Sequence, residues 1–246
     1  MTEEVDKLVA RVLELLQPLD YEARTTILPG VELALRDAGH ILGSCIVELW
    51  GDGRKLVFSG DLGPKGTPIL RDPAAITEAD LVVMESTYGD RDHRERASTV
   101  QELGEVFEHA WRERGTVLIP AFAVGRSQEL LYWFARYWSE WNLERWRIFL
   151  DSPMAGKVVA VYERHHELFD EQACQVWRQK PSPFRLPNLH YTVTVQASIG
   201  INAIDSGAIV IAGSGMANGG RIQHHLRHRL GRRNTHVVVV GYQAEG

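Results

Sequence analysis

The sequence has few cysteines and no long apolar run, and both shortages limit what the protein can be. Its two cysteines, Cys45 and Cys174, are too few for a disulfide framework and show no CxxC spacing. The longest apolar runs, AIVIA and VVVV, are far shorter than the roughly 20 residues that a membrane-spanning helix needs. The amino-terminal MTEEVDKL is acidic and does not resemble a signal peptide. We therefore expect a cytoplasmic protein without a membrane partner.

The chain also lacks an internal repeat, a long linker and a low-complexity tract. A hydrophobic fraction of 44% over 246 residues is enough to bury a core, and the length allows one large domain or two modest ones. The formal net charge of -5 argues against a surface that binds nucleic acid everywhere, but it leaves room for a local basic patch. The composition is therefore that of a globular protein.

The first region of the chain is predicted to form one helix followed by strands. Residues 3–16 carry apolar side chains at helical spacing, with Thr2 as a candidate N-cap. From there to about residue 87, VELALR, CIVELW, RKLVF and DLVVME read as strands. Asp52 and Gly53 predict a hairpin turn between two of them.

The second region shows the alternation of strands and helices that builds a parallel sheet. Ser98 and Gln101 form a capping-box pattern for its first helix. The strands TVLIP, RIFL, AIVIA and HVVVV follow, and helices are expected near 126–138, 155–166 and 219–230. The pattern predicts an α/β protein, and we place a domain boundary between residues 91 and 92.

Polar residues follow three apolar strands of the first region, where each strand ends. They are His40 after LALRDAG, Asp61 after KLVFSG and Glu85 at the end of LVVM. If these strands lie side by side, the three side chains share one rim of the sheet. Imidazole and carboxylate groups suit zinc or a similar first-row ion, and a carboxylate can bridge two such ions. The alternative is that Asp61 is an ordinary turn residue and His40 an ordinary surface or hydrogen-bonded histidine.

The motifs around these residues resemble those of the β-CASP branch of the metallo-β-lactamase superfamily. This branch contains nucleic-acid-processing enzymes such as the endonuclease of mRNA 3′-end cleavage and ribonuclease J. DAGHILGS, FSGDLG and ESTYGDR carry the likeness in the first region. IPAFAVGRSQELL, LDSPMAGK and AGSGMANGGRIQHHL extend it through the second, so that it covers nearly the whole chain.

The resemblance implies a fold, a cofactor and a set of site residues. The implied fold is a partial metallo-β-lactamase αββα region at 1–91, followed by a β-CASP domain at 92–246 with a parallel sheet flanked by helices. His40 matches a metal ligand and Asp61 the ligand that bridges two ions, which are zinc or another divalent metal. Glu85 matches an acidic residue near the metals that orients a catalytic histidine, so Asp61 and Glu85 form the expected catalytic pair.

The sequence departs from the family pattern in its histidines. The first metal motif of the family, HxHxDH, does not occur in it, and neither do the SAH-type and HGE-type motifs that carry later histidines. The resemblance therefore implies that this chain corresponds to the middle of a nuclease. With His40 and Asp61 alone, the expected metal affinity of this chain by itself is weak or absent.

Three strand-to-helix turns of the second region are candidates for contacts with the RNA backbone. AGSGMANGGR places glycines between a strand and a helix, where backbone N–H groups can hold a phosphate, although it fits neither the Rossmann nor the Walker pattern. The resemblance implies that these turns face the cleft between the domains. The candidate residues are Arg126, Ser127, Lys157, Ser214, Gly215, Gly219, Gly220 and Arg221. The alternative for each is a plain turn in which glycine allows a positive φ.

The basic segment RIQHHLRHRLGRR, residues 221–233, could also contact phosphates. Cations in the last turn of a helix complement its dipole, so Arg229, Arg232 and Arg233 are expected to lie in solvent. His224 and His228 are one turn apart, but they have no acidic partner nearby and are not expected to bind metal. The aromatic segment YWFARYWSEW, whose side chains could stack on bases, is expected to pack in the core instead because of its helical spacing.

These patterns together predict a metal-dependent ribonuclease that hydrolyses phosphodiester bonds of single-stranded RNA in RNA processing or decay. Two alternatives stay open. One is a non-catalytic relative, a pseudo-nuclease that binds RNA or a protein partner, and the other is a small-molecule metallo-hydrolase. A homodimer is one of the assembly states that the sequence allows.

Overall fold

Two five-stranded sheets organise the part of the chain that the computed structural model describes, residues 2–178 and 182–243. The first sheet contains β1 (Thr25–Leu28), β2 (Val31–Asp37), β3 (Cys45–Gly51), β4 (Arg54–Phe58) and β5 (Leu81–Val83). The second contains β6 (Thr116–Pro120), β7 (Arg147–Asp151), β8 (Leu189–Tyr191), β9 (Ala208–Ala212) and β10 (Thr235–Val237). The helices are α1 (Thr2–Leu15), α2 (Arg96–Arg112), α3 (Arg126–Arg136), α4 (Pro153–Arg164), α5 (Glu171–Arg178), α6 (Val195–Gly200) and α7 (Gly220–Arg229).

The strands of the first sheet lie in chain order, β1-β2-β3-β4-β5. The strands β1 to β4 pair antiparallel with their neighbours, whereas β5 pairs parallel with β4. Asp52 and Gly53 connect β3 to β4 and have φ values of 49° and 71°. Two positive φ values are what a tight two-residue hairpin needs, so the predicted hairpin is confirmed.

The two faces of the first sheet differ in character. On one face the apolar residues Leu35, Val47, Phe58 and Val83 lie opposite one another, and the last two are 38% and 50% exposed. The other face carries the buried Glu48, which forms ion pairs with Arg36 (2.6 Å) and Lys55. Burial would raise the pKa of Glu48, but the hydrogen bonds from the two cations outweigh it and lower that pKa.

The second sheet is parallel throughout, in the order β10-β6-β9-β7-β8. Every residue of β6 and β9 is buried. Ile119 and Ile209 point to the face covered by α2, α3, α4 and α5, whereas Leu118 and Val210 point to the face that contacts α7. Helices on both faces explain why these strands are continuously apolar. The predicted α/β class, with a parallel sheet flanked by helices, is confirmed.

The segment that follows β4 ties the first region to the second. Ile69 is 3% exposed and belongs to the core cluster of the second region. Its carbonyl accepts a hydrogen bond from the backbone N–H of Asp170 (2.9 Å). Nearby, Arg71 donates to the carbonyl of Glu167 (2.9 Å). The loop after β4 therefore contributes a buried side chain to the core of the second region.

Several predicted details are corrected by the structure. The capping box at Ser98 is wrong, because α2 begins at Arg96 and its N-cap is Glu95, without a side-chain cap. The predicted first helix is confirmed as α1. It begins at Thr2, so Thr2 lies within the helix and not at its N-cap. The aromatic segment packs in the core as expected, with Phe134 and Trp141 buried. The strands β1 and β8 and the helices α5 and α6 were not predicted.

Other expectations from the sequence can be compared with the same residues. Cys45 and Cys174 are both free thiols. Within the described residues, no helix combines the length and the apolar character that crossing a bilayer requires.

Candidate active site and nucleic-acid interface

The strands β2, β4 and β5 end at the same edge of the first sheet. Each of β2 and β4 is antiparallel to β3, and β5 is parallel to β4, so all three run in one direction. His40, Asp61 and Glu85 follow the ends of these strands. The structure therefore places the three residues on one rim, although β3 lies between β2 and β4. This rim is called the carboxylate rim below.

Glu85 organises the carboxylate rim through its hydrogen bonds. Its Oε1 accepts the backbone N–H of Leu62 (2.6 Å), the residue directly after Asp61. Its own N–H donates to the hydroxyl of Ser59 (3.1 Å). The hydrogen bond from Leu62 is the main reason that the pKa of Glu85 is lowered, and the nearby His40 adds to the effect. Glu85 is therefore held as a carboxylate that fixes the loop of Asp61.

Glycines allow the loops of the carboxylate rim to approach one another. The N–H of Gly63 donates to the carbonyl of Ala38 (2.9 Å), and a Cβ at position 63 would overlap the carbonyl of Gly39. The loop of His40 is also fixed, because the hydroxyl of Ser44 accepts the N–H of His40 (3.1 Å). Close backbone contact of this kind requires glycine at 63.

The donor set of the rim fits part of a divalent-metal site. The side chains of His40 and Asp61 are exposed and offer one imidazole and one carboxylate, whereas both oxygens of Glu85 accept backbone N–H groups. A zinc ion takes three or four protein ligands, so a two-ion centre needs further donors. Within residues 2–178 and 182–243, one group of three side chains has ligand atoms that all lie within 4.8 Å of one another, and this group is not at the carboxylate rim. Metal binding by His40 and Asp61 stays a prediction.

The turns with the predicted RNA contacts lie at one edge of the second sheet. Because all its strands are parallel, the residues after β6, β7 and β9 share its carboxyl edge. Arg126 and Lys157 are exposed there, and Arg126 forms an ion pair with Glu129. The carboxyl edge of an open parallel sheet is the usual place for a ligand in this class of fold.

The hydroxyls among the predicted RNA contacts already have partners within the protein. Ser127 is buried and donates to the carbonyl of Phe122 (2.6 Å). Ser214 donates to the side-chain oxygen of Asn218 (2.7 Å). These two hydroxyls shape their turns, and a phosphate contact by either one stays a prediction.

The glycines of the turn after β9 differ in their surroundings. Gly215 is buried, and a Cβ there would come within 2.6 Å of the ring of Phe122. Gly220 has a φ of 73°, and a Cβ there would overlap the carbonyl of Gly213, whereas Gly219 has open space around its Cα. Gly219 is thus a position of this turn at which a ligand can approach the Cα without meeting another residue.

Arg221 is held by a buried carboxylate that sequence reasoning missed. Its guanidinium donates to Asp151 Oδ1 (2.7 Å) and to the carbonyls of Thr192 (2.8 Å) and Val193 (3.0 Å). Asp151 lies at the end of β7 and has no exposed surface. Any phosphate that Arg221 binds would share the guanidinium with these partners.

Four side chains converge on Asp151. Besides Arg221, the donors are Thr192, Ser198 (2.6 Å) and the Nε2 of His225 (2.6 Å). Burial would raise the pKa of Asp151, but these hydrogen bonds outweigh it and hold the pKa well below its usual range. The carboxylate therefore joins β7, the residues after β8, α6 and α7 at the carboxyl edge.

The expectation that Arg229 lies in solvent is wrong. Arg229 is 0% exposed, and its guanidinium donates to the carbonyls of Ile201 (2.7 Å) and Ile204 (2.9 Å). These residues are the first residue and the C-cap of a short 3₁₀ turn, Ile201–Ala203, which the guanidinium thereby ties to α7. Burial lowers the pKa of Arg229. His224 and His228, on the same helix, are exposed.

The carboxylate rim and the carboxyl edge are in contact. A Cβ at Gly125, directly before Arg126, would come within 2.8 Å of Ile41 Cγ2, and Ile41 directly follows His40. The N–H of Leu42 donates to the hydroxyl of Tyr162 in α4 (3.3 Å). The two candidate surfaces therefore form one continuous region that joins the two sheets.

Comparisons with known proteins agree with the motifs that form this region. Residues 127–246 match the family model described as Beta-Casp domain. The chain is 43% identical over 238 residues to Ribonuclease TTHA0252 of Thermus thermophilus, with 97% of this chain and 54% of the relative covered. It is also 34% and 30% identical to Transcription termination factor FttA of Thermococcus kodakarensis and of Methanocaldococcus jannaschii. Each of these two matches covers 93% of this chain, but only 36% and 37% of the relative. The chain thus spans about half the length of the first relative and little more than a third of the other two.

Proposed function

This chain belongs to the β-CASP family of metallo-β-lactamase-fold RNA-processing nucleases, and on that premise we propose that it contributes to a metal-dependent ribonuclease. The proposed reaction is the hydrolysis of phosphodiester bonds in single-stranded RNA. One observation carries the proposal: the contact between Ile41 and Gly125 joins the rim of His40 and Asp61 to the turn of Arg126. An RNA backbone held at the carboxyl edge would thereby reach the rim.

Each side chain of the rim has a role in this proposal. His40 and Asp61 would hold divalent ions, with Asp61 as the bridge between two of them. Two such ions, with zinc as the expected identity, supply positive charge that stabilises the phosphate during cleavage. Glu85 positions the loop of Asp61 through the N–H of Leu62. Because Glu85 is held as a carboxylate, it can also accept a hydrogen bond from a histidine.

The carboxyl edge would bind the RNA backbone in the same proposal. The exposed cations Arg126 and Lys157 supply charge for phosphates, and the open backbone at Gly219 supplies space for close approach. Arg221, fixed by Asp151, would add a preorganised guanidinium. None of these contacts reads a base, so the proposal predicts little sequence preference.

A segment exchange with the Thermus thermophilus ribonuclease tests the proposal. The matching segment of that enzyme is replaced by this chain, and the hybrid is assayed with single-stranded and double-stranded RNA. The expected result is zinc-dependent cleavage of the single strand. Asp61→Ala in the hybrid is expected to lower the cleavage rate at least about 100-fold, because one bridging carboxylate is lost, with RNA affinity nearly unchanged. Equal turnover by the Asp61→Ala hybrid would refute the role of Asp61.

A non-catalytic role is the second candidate, and a specific observation favours it. Both oxygens of Glu85 accept backbone N–H groups, so that this carboxylate already has a structural role at the rim. A hybrid that binds single-stranded RNA but does not cleave it would support a pseudo-nuclease. A small-molecule hydrolase is the third candidate, and the exposed cations Arg126 and Lys157 at the carboxyl edge favour a polyanionic chain over a small substrate.

Three further expectations belong to the same proposal. The proposed boundary between a lactamase-type part at 1–91 and a β-CASP domain at 92–246 would lie in the segment between β5 and α2. The cytoplasm is the proposed location. Homodimer formation is a separate hypothesis, which sedimentation analysis of this chain would decide.

A further inference from the structure

A second cluster of metal-ligating side chains lies at the opposite edge of the parallel sheet. It consists of His109 in the last turn of α2, Glu113 directly after that helix, and His236 in β10. The imidazole nitrogens and carboxylate oxygens of these residues all lie within 4.8 Å of one another. His236 of β10 pairs with Val117 near the start of β6, so this cluster lies at the amino edge of the parallel sheet. The carboxylate rim contacts the opposite, carboxyl edge.

The distances in the cluster are close to those between two ligands of one metal ion. His109 Nε2 is 3.5 Å from Glu113 Oε1, and His236 Nε2 is 3.1 Å from Glu113 Oε2. Two ligand atoms at about 2.0 to 2.1 Å from a tetrahedral zinc ion stand about 3.4 Å apart. The distance from His109 exceeds the range of about 2.7 to 3.2 Å for N–H···O hydrogen bonds.

His236 supplies a second observation that indicates a ligand. Its Nε2 is shielded from solvent and makes no hydrogen bond within the described residues, although Glu113 lies beside it. A buried polar atom without a partner costs free energy, and a bound metal would satisfy it. The ring is held in this position by close packing, since a Cβ at Gly115 would come within 3.0 Å of its Cδ2.

The local charge of the cluster also favours a cation. Glu113 is the C-cap of α2, where the negative end of the helix dipole disfavours a carboxylate. The neighbouring Arg112 does not neutralise it, because its guanidinium pairs with Glu108 (3.0 Å). A divalent ion at this point would stabilise both the carboxylate and the carbonyl end of the helix.

We propose that His109, Glu113 and His236 bind one divalent transition-metal ion, with zinc as the expected occupant and water as its fourth ligand. Two imidazoles and a carboxylate are a donor set that zinc commonly takes. The ion would join the end of α2 to β10, a strand of three residues at the edge of the sheet. The water position would leave the ion open to exchange, and this site is distinct from the metal chemistry proposed for His40 and Asp61.

Metal titration of the 246-residue chain tests this site. His40→Ala and Asp61→Ala are introduced together to remove binding at the carboxylate rim, and Co²⁺ is titrated into the chelator-treated protein with visible absorption as the readout. Zn²⁺ is then used to displace it. We expect one equivalent of Co²⁺ to bind in a four-coordinate site. No binding by this variant would overturn the proposal.

Ligand variants in the same background locate the ion. His109→Ala is expected to weaken Zn²⁺ binding at least about 100-fold without unfolding the chain, because the His109 side chain is exposed. Glu113→Gln is expected to weaken it as well, while keeping the shape of the side chain. His224→Ala, which removes an exposed histidine with a second histidine one turn away, is the matched control and should change nothing. Unchanged affinity in His109→Ala and Glu113→Gln, or a loss in His224→Ala, would contradict the assignment.

Discussion

The guanidinium of Arg221 and the carboxylate of Asp151 form an ion pair of 2.7 Å at the carboxyl edge of the parallel sheet. Asp151 has no exposed surface, and the side chain of Arg221 is 19% exposed. The pair links the first turn of α7 to the end of β7. Arg221, which the sequence motif predicts to bind phosphate, is thus also hydrogen-bonded within the protein.

The first prediction concerns the stability that depends on Asp151. Asp151→Asn is expected to lower the free energy of unfolding by about 2 to 4 kcal/mol, because it leaves the partly buried Arg221 and the buried His225 beside a neutral amide. Urea unfolding followed by circular dichroism measures the change. Asp205→Asn, which removes an exposed partner of Arg232, is the control and should have little effect. A loss for Asp151→Asn as small as that of the control would contradict the assigned role.

The second prediction is a pH dependence with a definite sign. The pKa of Asp151 is lower in the folded protein than in the unfolded chain, where an aspartate has a pKa of about 3.9. The unfolded state therefore binds the proton more readily, so the stabilisation is present above about pH 3.9 and is lost as the pH falls further. The difference in unfolding free energy between the wild type and Asp151→Asn should shrink below that pH. A difference that grows on acidification would show that the sign is wrong.

The third prediction concerns the buried Arg229. Arg229→Met is expected to lower the free energy of unfolding by about 1 to 3 kcal/mol, since the carbonyl of Ile204 loses its side-chain donor and that of Ile201 keeps only the backbone N–H of Ile204. Thermal unfolding measures it. Arg227→Met changes an exposed cation of the same helix and serves as the control. If both variants melt at the same temperature, Arg229 does not have the structural role assigned to it.

The fourth prediction separates two adjacent glycines. Gly220→Ala is expected to destabilise the protein by more than about 1 kcal/mol, because its φ of 73° and the overlap with the carbonyl of Gly213 both oppose a side chain. Gly219→Ala meets open space at an extended backbone and should change the stability by less than about 0.5 kcal/mol. Equal losses in the two variants would argue against this description of the turn.

The fifth prediction concerns RNA affinity and rests on the proposed function. Arg126→Ala and Lys157→Ala should each weaken binding of single-stranded RNA and reduce the slope of log affinity against log salt by about 0.7. Fluorescence anisotropy with an oligonucleotide at several salt concentrations measures the slope. Arg147→Ala, at the amino end of β7, is the control. If all three variants show the same slope as the wild type, the carboxyl edge does not bind the RNA backbone.

Much of the fold could be predicted because the relevant signals are local. Asp52 and Gly53 form the expected hairpin, and the continuous apolar run of β9 is a buried parallel strand. The start of α2 was misplaced by three residues, because the capping-box pattern points to Ser98 as the N-cap, whereas the N-cap is Glu95 and the helix begins at Arg96. Short elements such as β8 gave no periodic signal, since three residues are too few to show one.

The site was predicted less completely, because its buried partners are distant in the sequence. His40, Asp61 and Glu85 could be found from the strands that precede them. Asp151 was read only as part of a turn motif, although His225, 74 positions later, donates to it. Nothing in the sequence indicates that such a pair meets, because the topology of the sheet brings it together.

Ile69 connects the first region of the chain to the core of the second. It belongs to the first region of the chain, but its side chain fills part of the second region's core, and its φ of 78° is unusual for a branched residue. Such a conformation persists only where the surrounding contacts fix it. Removing residues 1–91 would therefore leave a hole in the remaining core. We therefore expect heat or denaturant to unfold the two sheets in a single transition.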